Sequence, residues 1–123
     1  MDKILSFTDL DAWKIGHQLV LMIYNKTNDF PRIERFSLAV QLNRAAISVT
    51  SNIAEGFSRR GKKEKVNFYY IAKSSLTETQ NQILIARDLG YIKKEDFFEI
   101  WNQSITVQKL LSGLIKSAAS HNY

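Results

Sequence analysis

The sequence predicts an all-α protein, an antiparallel up-down-up-down four-helix bundle that forms a single domain over residues 1–123. First, hydrophobic residues make up 45% of the chain and charged residues 24%, the composition of a globular domain. Second, apolar residues recur at spacings of three and four, and no clean strand alternation appears. Third, helix-breaking residues at 28–31, 60–61 and 90 divide the chain into four long segments. Long helices joined by short connections favour antiparallel neighbours.

The first helix is predicted over about residues 9–27. Thr8 and Asp11 have the spacing of a capping box, in which two side chains satisfy the free amide groups of a first turn. His17 lies on the apolar stripe and is interpreted as a core histidine rather than a metal ligand. Pro31 cannot continue the helix. The stripe consists of Leu10, Trp13, His17, Val20, Tyr24 and Thr27.

The remaining helices are predicted over about residues 35–58, 63–89 and 95–117 from the same periodicity. Gly90 follows the third helix and is predicted to end it in a left-handed conformation, from which the next residues fold back. A frayed tail is expected over residues 118–123.

A polar stripe runs along the second helix inside a span that is otherwise apolar. At 100° per residue its members fall within about 80° of one another. They could hydrogen-bond to one another or to Glu78 of the third helix, or they could line a ligand or catalytic pocket. We favour the structural role, because one arginine and one carboxylate without histidine or cysteine suit acid–base or nucleophilic chemistry poorly. The stripe consists of Gln41, Arg44, Ser48, Asn52 and Glu55.

The far side of the second helix is also apolar, where a surface helix would carry charge. Phe36, Val40, Ile47 and Ala54 lie there. A helix that is apolar on two sides needs two partners, so this side predicts an oligomer interface. The alternative is a central helix covered by its three neighbours.

Positive charge is concentrated between the second and third helices. The chain has a net charge of +5, and residues 58–65 hold five basic side chains against one acid. Such a surface attracts polyanions, and few aromatic residues interleave it, so contact with backbone phosphates is expected. The alternatives are a solvated turn and a contact with an acidic protein face. We call this set the basic corner; it consists of Arg59, Arg60, Lys62, Lys63 and Lys65.

Several classes of function have no support in the sequence. The chain has no cysteine, no paired metal-binding helix motif and no glycine-rich phosphate loop. No apolar run approaches the roughly 20 residues of a membrane span. We therefore expect a soluble, cytoplasmic protein that is not an enzyme and holds no metal or cofactor.

Residues 30–60 read FPRIERFSLAVQLNRAAISVTSNIAEGFSRR. This run resembles the four-helix-bundle family that includes the proteins encoded in intervening sequences of bacterial 23S rRNA genes. The FTDLDAWK opening, the SLTE stretch and the ARDLGYI stretch extend the resemblance over nearly the whole chain, and NIAEG at residues 52–56 is its most specific part. The accessory variability proteins of diversity-generating retroelements look like distant members.

The resemblance implies a bundle that assembles as a ring, a homopentamer, without known enzymatic activity. It also implies binding of nucleic acid or docking onto a nucleic-acid enzyme. Combined with the basic corner, it predicts low-specificity binding of RNA or DNA. The alternative is an oligomeric adaptor that docks a nucleic-acid enzyme or another protein without touching nucleic acid itself.

Overall fold

The structure is a computed structural model and describes residues 3–120. Within that range it contains four α-helices and no strand, which confirms the all-α prediction. Each helix packs against the next along the chain, and the fourth packs against the first, so that a four-helix bundle encloses one core. Short 3₁₀ turns at Phe7–Asp9 and Arg32–Glu34 precede the first two helices. The helices are α1 (Asp11–Thr27), α2 (Leu38–Ser58), α3 (Lys62–Asp88) and α4 (Lys94–Ser120).

The predicted capping box of Thr8 and Asp11 is wrong, because the first 3₁₀ turn has a box of its own. The Ser6 hydroxyl accepts a hydrogen bond from the Thr8 amide (3.3 Å), while the Asp9 carboxylate accepts from the amides of Leu5 and Ser6 (2.9 and 3.0 Å). These backbone hydrogen bonds lower the pKa of Asp9. Since Asp9 belongs to the turn, α1 starts at Asp11 instead of residue 9.

The second helix starts later than the predicted residue 35, because residues 32–34 form the second 3₁₀ turn. The Glu34 carboxylate joins this turn to the first residue of α2 and to Tyr91, which is distant in sequence. It accepts a hydrogen bond from the Leu38 amide (3.4 Å) and one from the Tyr91 hydroxyl (2.8 Å). The hydrogen bond from Tyr91 to Glu34 raises the pKa of the Tyr91 hydroxyl. The turn is therefore tied to the connection between α3 and α4.

The predicted end of the third helix is confirmed at Gly90, which has a φ of +79°. The amide of Tyr91 donates to the Ala86 carbonyl and that of Gly90 to the Arg87 carbonyl, each at 2.9 Å. This pair of hydrogen bonds satisfies the last carbonyls of α3. Ile92 then folds back and is buried.

The start of the predicted frayed tail is helical instead. Residues 118–120 continue α4, and Ala118 is buried in the core, which explains why the last turn stays helical. The rest of the predicted tail, residues 121–123, lies outside the described residues.

His17 is not a core residue, contrary to the prediction. Its side chain is exposed and stacks on the Trp13 ring, with the ring centroids 4.7 Å apart. The buried side of α1 instead centres on Leu19 and Ile23, each 1% exposed. Neither residue belongs to the predicted stripe, so the buried side of the helix is rotated relative to the prediction.

Candidate nucleic-acid interface

The basic corner lies where α2 ends at Ser58 and α3 begins at Lys62, with a connection of three residues between them. The structure places all five predicted cations at this connection or within the first turn of α3. They differ in their environment, and two of them are engaged within the chain.

Lys65 closes the end of α2. Its ammonium group donates hydrogen bonds to the carbonyls of Phe57 (2.7 Å) and Gly56 (3.3 Å) and lies 5.2 Å from the centre of the Phe57 ring. The last carbonyls of a helix have no partner within it, so a cation there is favourable. Partial burial lowers the pKa of Lys65. Lys65 therefore holds the corner together instead of projecting into solvent.

Arg59 is also held in place. Its guanidinium forms an ion pair with Glu55 one turn earlier (3.1 Å) and lies over the Phe68 ring, 4.7 Å from the ring centre. The contact with Phe68 joins the end of α2 to the first turns of α3. The Nε atom of Arg59 is buried and has no hydrogen-bond partner among residues 3–120.

Arg60, Lys62 and Lys63 are the cations that the corner presents to solvent. All three side chains are exposed, and none has a hydrogen bond or ion pair within the described chain. Because Lys65 and Arg59 fix the backbone on both sides of them, these charges are concentrated at one defined place. A polyanion that approached the corner would meet these three side chains.

Gly56 allows α2 and α3 to approach closely beside the corner. A Cβ atom at this position would lie 2.6 Å and 2.8 Å from ring atoms of Tyr69 and 3.0 Å from the Cβ of Phe68. Tyr69 is only 2% exposed, so its ring has little room to move. The glycine of NIAEG is thus explained by packing.

One aromatic residue near the corner is available to a ligand, and the sequence analysis did not single it out. Tyr70 is 52% exposed and lines a shallow depression of about 520 Å³ together with Lys63 and Asn67. These three residues are separated by four and three positions on α3, which is the helical spacing that could have identified them.

The polar stripe forms hydrogen bonds within α2 and to α3. The Asn52 side-chain amide donates to the Ser48 carbonyl (2.8 Å), and the Ser48 hydroxyl lies 2.8 Å from the Ser75 hydroxyl on α3. Glu78 does not join the stripe, since its carboxylate accepts from Gln82 (3.3 Å) on its own helix.

Arg44 and Glu55 do not form a buried pair in the single chain. Arg44 and Gln41 are exposed, and Glu55 binds Arg59 with 55% of its side chain accessible. The two residues lie toward solvent because the core side of α2 faces a different direction, around Leu42 and Ile53.

The outward side of α2 remains apolar and partly exposed in the single chain. On this side Ile47 is 38% exposed, whereas Val40 and Ala54 are half-buried. Phe36 was predicted on the same side of the helix, but it is 85% exposed and precedes α2, which begins at Leu38. Ile33, which the sequence analysis did not name, is 83% exposed and precedes Phe36 by three positions. Its spacing to Phe36 was the signal available in the sequence.

Neither a metal-binding cluster nor a membrane-spanning helix occurs in the part of the chain that the structure describes. Among residues 3–120, no three histidine, aspartate or glutamate side chains come together in a group that could hold a metal ion. In the same range, no helix has the length and apolar character needed to cross a membrane.

The sequence profile of the family described as 23S rRNA-intervening sequence protein matches residues 8–113. A crystal structure of a protein of unknown function from the S23 ribosomal protein family of Bacteroides thetaiotaomicron superposes with a TM-score of 0.79. It is 24% identical and covers 85% of this chain and 95% of its own, which shows a shared fold. None of the curated proteins matches the chain. The match over most of its length establishes that the chain belongs to the 23S rRNA-intervening sequence protein family.

Proposed function

We propose that this protein is a non-enzymatic, ring-forming helical bundle that binds RNA or DNA with little sequence preference through the basic corner. One observation carries this proposal: Arg60, Lys62 and Lys63 are exposed, unpaired and adjacent, while Lys65 and Arg59 hold the backbone around them. The protein would act in the cytoplasm and would require no cofactor.

The chemistry of the corner favours phosphates over bases. One guanidinium and two ammonium groups can donate hydrogen bonds but cannot accept them. They therefore suit phosphate oxygens, which every nucleic-acid sequence presents. Contacts of this kind position a nucleic acid without reading its sequence. The family's description, which refers to an intervening sequence of 23S rRNA, fits a nucleic-acid context.

We also propose that the helices alternate in direction, up-down-up-down. Contacts between neighbouring helices support this arrangement, because partners later in one helix lie earlier in the next. On α3 and α4, Gln80 contacts Ser104, whereas Arg87 lies over Phe97. The Gln103 side chain of α4 donates to the Ile15 carbonyl of α1. The ion pair Lys26–Asp96 lies about three turns later on α1 and about two turns earlier on α4.

Assembly as a ring, a homopentamer, is the third part of the proposal. The outward side of α2 and the residue Phe36 just before it support this part, since apolar surface stays uncovered in the single chain at Phe36, Val40, Ile47 and Ala54. Ile33 extends that surface. In a ring each subunit would repeat the basic corner, so the attraction for a polyanion would be multiplied.

Replacing the three free cations by glutamine (Arg60→Gln, Lys62→Gln, Lys63→Gln) is expected to weaken binding of labelled RNA and DNA at least tenfold at low salt. The reason is the loss of phosphate contacts and of counterion release. Fluorescence anisotropy across a salt series measures this. The wild-type slope of log affinity against log salt should be about −0.9 for each duplex phosphate neutralised, and it should flatten in the variant.

A matched control removes the same charge elsewhere. Lys93→Gln, Lys94→Gln and Lys109→Gln change three exposed lysines away from the corner and should leave affinity within about twofold, since a surface charge beyond a Debye length is largely screened. Equal losses in both variants, or a salt-insensitive affinity, would contradict a site at the corner. No binding by the folded wild type would favour the second candidate, an adaptor that docks a nucleic-acid enzyme, because the corner also fits an acidic protein surface.

A further inference from the structure

A second cationic site lies at the other end of α2. The second 3₁₀ turn, Arg32–Glu34, lies against α2, and residues of this turn, of α2 and of the end of α1 line a cavity of about 400 Å³. Arg32 and Arg35 both line this cavity. Because α2 has 21 residues, it separates this cavity from the basic corner by about 30 Å.

The local backbone places the two arginines together. The amide of Arg35 donates to the Arg32 carbonyl (3.1 Å), a hydrogen bond of the 3₁₀ type. In such a turn residues three apart project from the same side. The amide of Glu34 also donates to the Pro31 carbonyl (2.8 Å), and proline restricts the backbone at the entry to the turn.

No acid neutralises this arginine pair. No carboxylate lines the cavity, and neither arginine forms an ion pair among residues 3–120. Glu34, which lies between them in sequence, is engaged with the Tyr91 hydroxyl and the Leu38 amide. The guanidinium of Arg35 lies 5.4 Å from the Phe36 ring, a contact that leaves its charge unneutralised. Two like charges on one wall favour binding of an anion.

The rest of the cavity is suited to an organic phosphate. Asn28 and Asn43 contribute amide groups, and the Asn43 side chain is held by a hydrogen bond from Thr27 (2.9 Å). Phe30 and Ala39 form an apolar part of the wall and are buried to 8% and 7% exposure. The volume lies within the range of about 300–1,000 Å³ found for small-molecule sites.

We infer that this cavity binds a small phosphate monoester. Guanidinium groups bind phosphate oxygens in a bidentate manner, and a monoester carries about two negative charges at pH 7, which matches two arginines. A diester, as in a nucleic-acid backbone, carries one charge and a carboxylate also one. The site is therefore distinct in ligand class as well as in position from the basic corner, and the inference does not depend on the nucleic-acid proposal.

Isothermal titration calorimetry at constant ionic strength tests the inference with inorganic phosphate, phenyl phosphate and acetate. Wild type is expected to bind both phosphates with a Kd of about 1 mM or tighter and acetate at least tenfold more weakly. Phenyl phosphate should bind more tightly than inorganic phosphate if its ring uses the Phe30 wall, and equal affinities would identify the free anion as the ligand.

Arg32→Gln with Arg35→Gln should weaken phosphate binding at least tenfold. Lys109→Gln with Lys116→Gln removes the same charge from exposed positions on α4, outside both the cavity and the basic corner, and should leave phosphate binding unchanged. Circular dichroism verifies that both variants are folded, and Arg32→Lys with Arg35→Lys, which keeps the charge but loses the planar fork, should be intermediate. Equal affinity of the glutamine pair, or no saturable binding by wild type, would overturn the inference.

Discussion

Changing Gly56 to valine is expected to lower the free energy of unfolding by about 3 kcal/mol, at the upper end of the cost of overpacking. The added Cβ would lie within 3.0 Å of the buried Tyr69 ring and of the Phe68 Cβ, which moves only with the backbone of α3. Helix propensity favours valine over glycine by only a few tenths of a kcal/mol and offsets little of this cost.

Chemical denaturation followed by circular dichroism measures the effect, at fixed protein concentration because the proposed assembly would contribute to stability. Gly113→Val is the matched control. It introduces the same side chain into α4 at an exposed glycine with no heavy atom within 4 Å of the added Cβ, and it should change stability by less than about 0.5 kcal/mol. Similar losses in the two variants would show that the close contact of α2 with α3 does not explain Gly56.

Replacing Ile47 with glutamate is expected to convert the assembled protein to monomers of 14.2 kDa. The reason is that burying a carboxylate against a second apolar subunit costs several kcal/mol unless it is paired. In the isolated chain the side chain is already 38% exposed, so the fold itself should tolerate the change. Sedimentation or light scattering measures the mass, and circular dichroism shows that the monomers are folded.

Ile85→Glu provides the control for this substitution. Ile85 lies on α3 and is 41% exposed, nearly the same as Ile47, but it is not part of the outward side of α2. This variant should keep the wild-type mass. A wild type that sediments as a single 14.2 kDa chain would contradict the ring proposal. If both variants dissociated, the interface would not be confined to the outward side of α2.

The four helices could be predicted because the apolar periodicity and the helix-breaking residues divide the chain into the same four segments. The left-handed Gly90 could be predicted as well, since glycine after a periodic segment signals a helix end. The starts of α1 and α2 could not, because each depends on a 3₁₀ turn. Such turns are set by particular hydrogen bonds, such as those of Asp9 and Glu34, rather than by periodicity.

The environment of individual polar residues was the least predictable part. Residue spacing placed Arg44 and Glu55 on one side of α2, but it did not reveal that the Glu55 carboxylate forms its ion pair with Arg59. It also grouped Lys65 with the free cations, although its ammonium group reaches the Phe57 carbonyl. Both outcomes depend on where α2 ends and how closely α3 returns, which are properties of the packed structure.

The short connection between α2 and α3 also has a consequence for the order of folding. Only three residues separate these helices, and they meet closely at Gly56 and Tyr69. The entropy lost on closing so short a loop is small, and contacts between neighbouring segments form fastest. The α2–α3 hairpin is therefore expected to form in the folding transition state, before α4 docks on α1. Stopped-flow kinetics should then show slower folding for Tyr69→Phe and faster unfolding for Ile100→Val, and the reverse pattern would exclude this order.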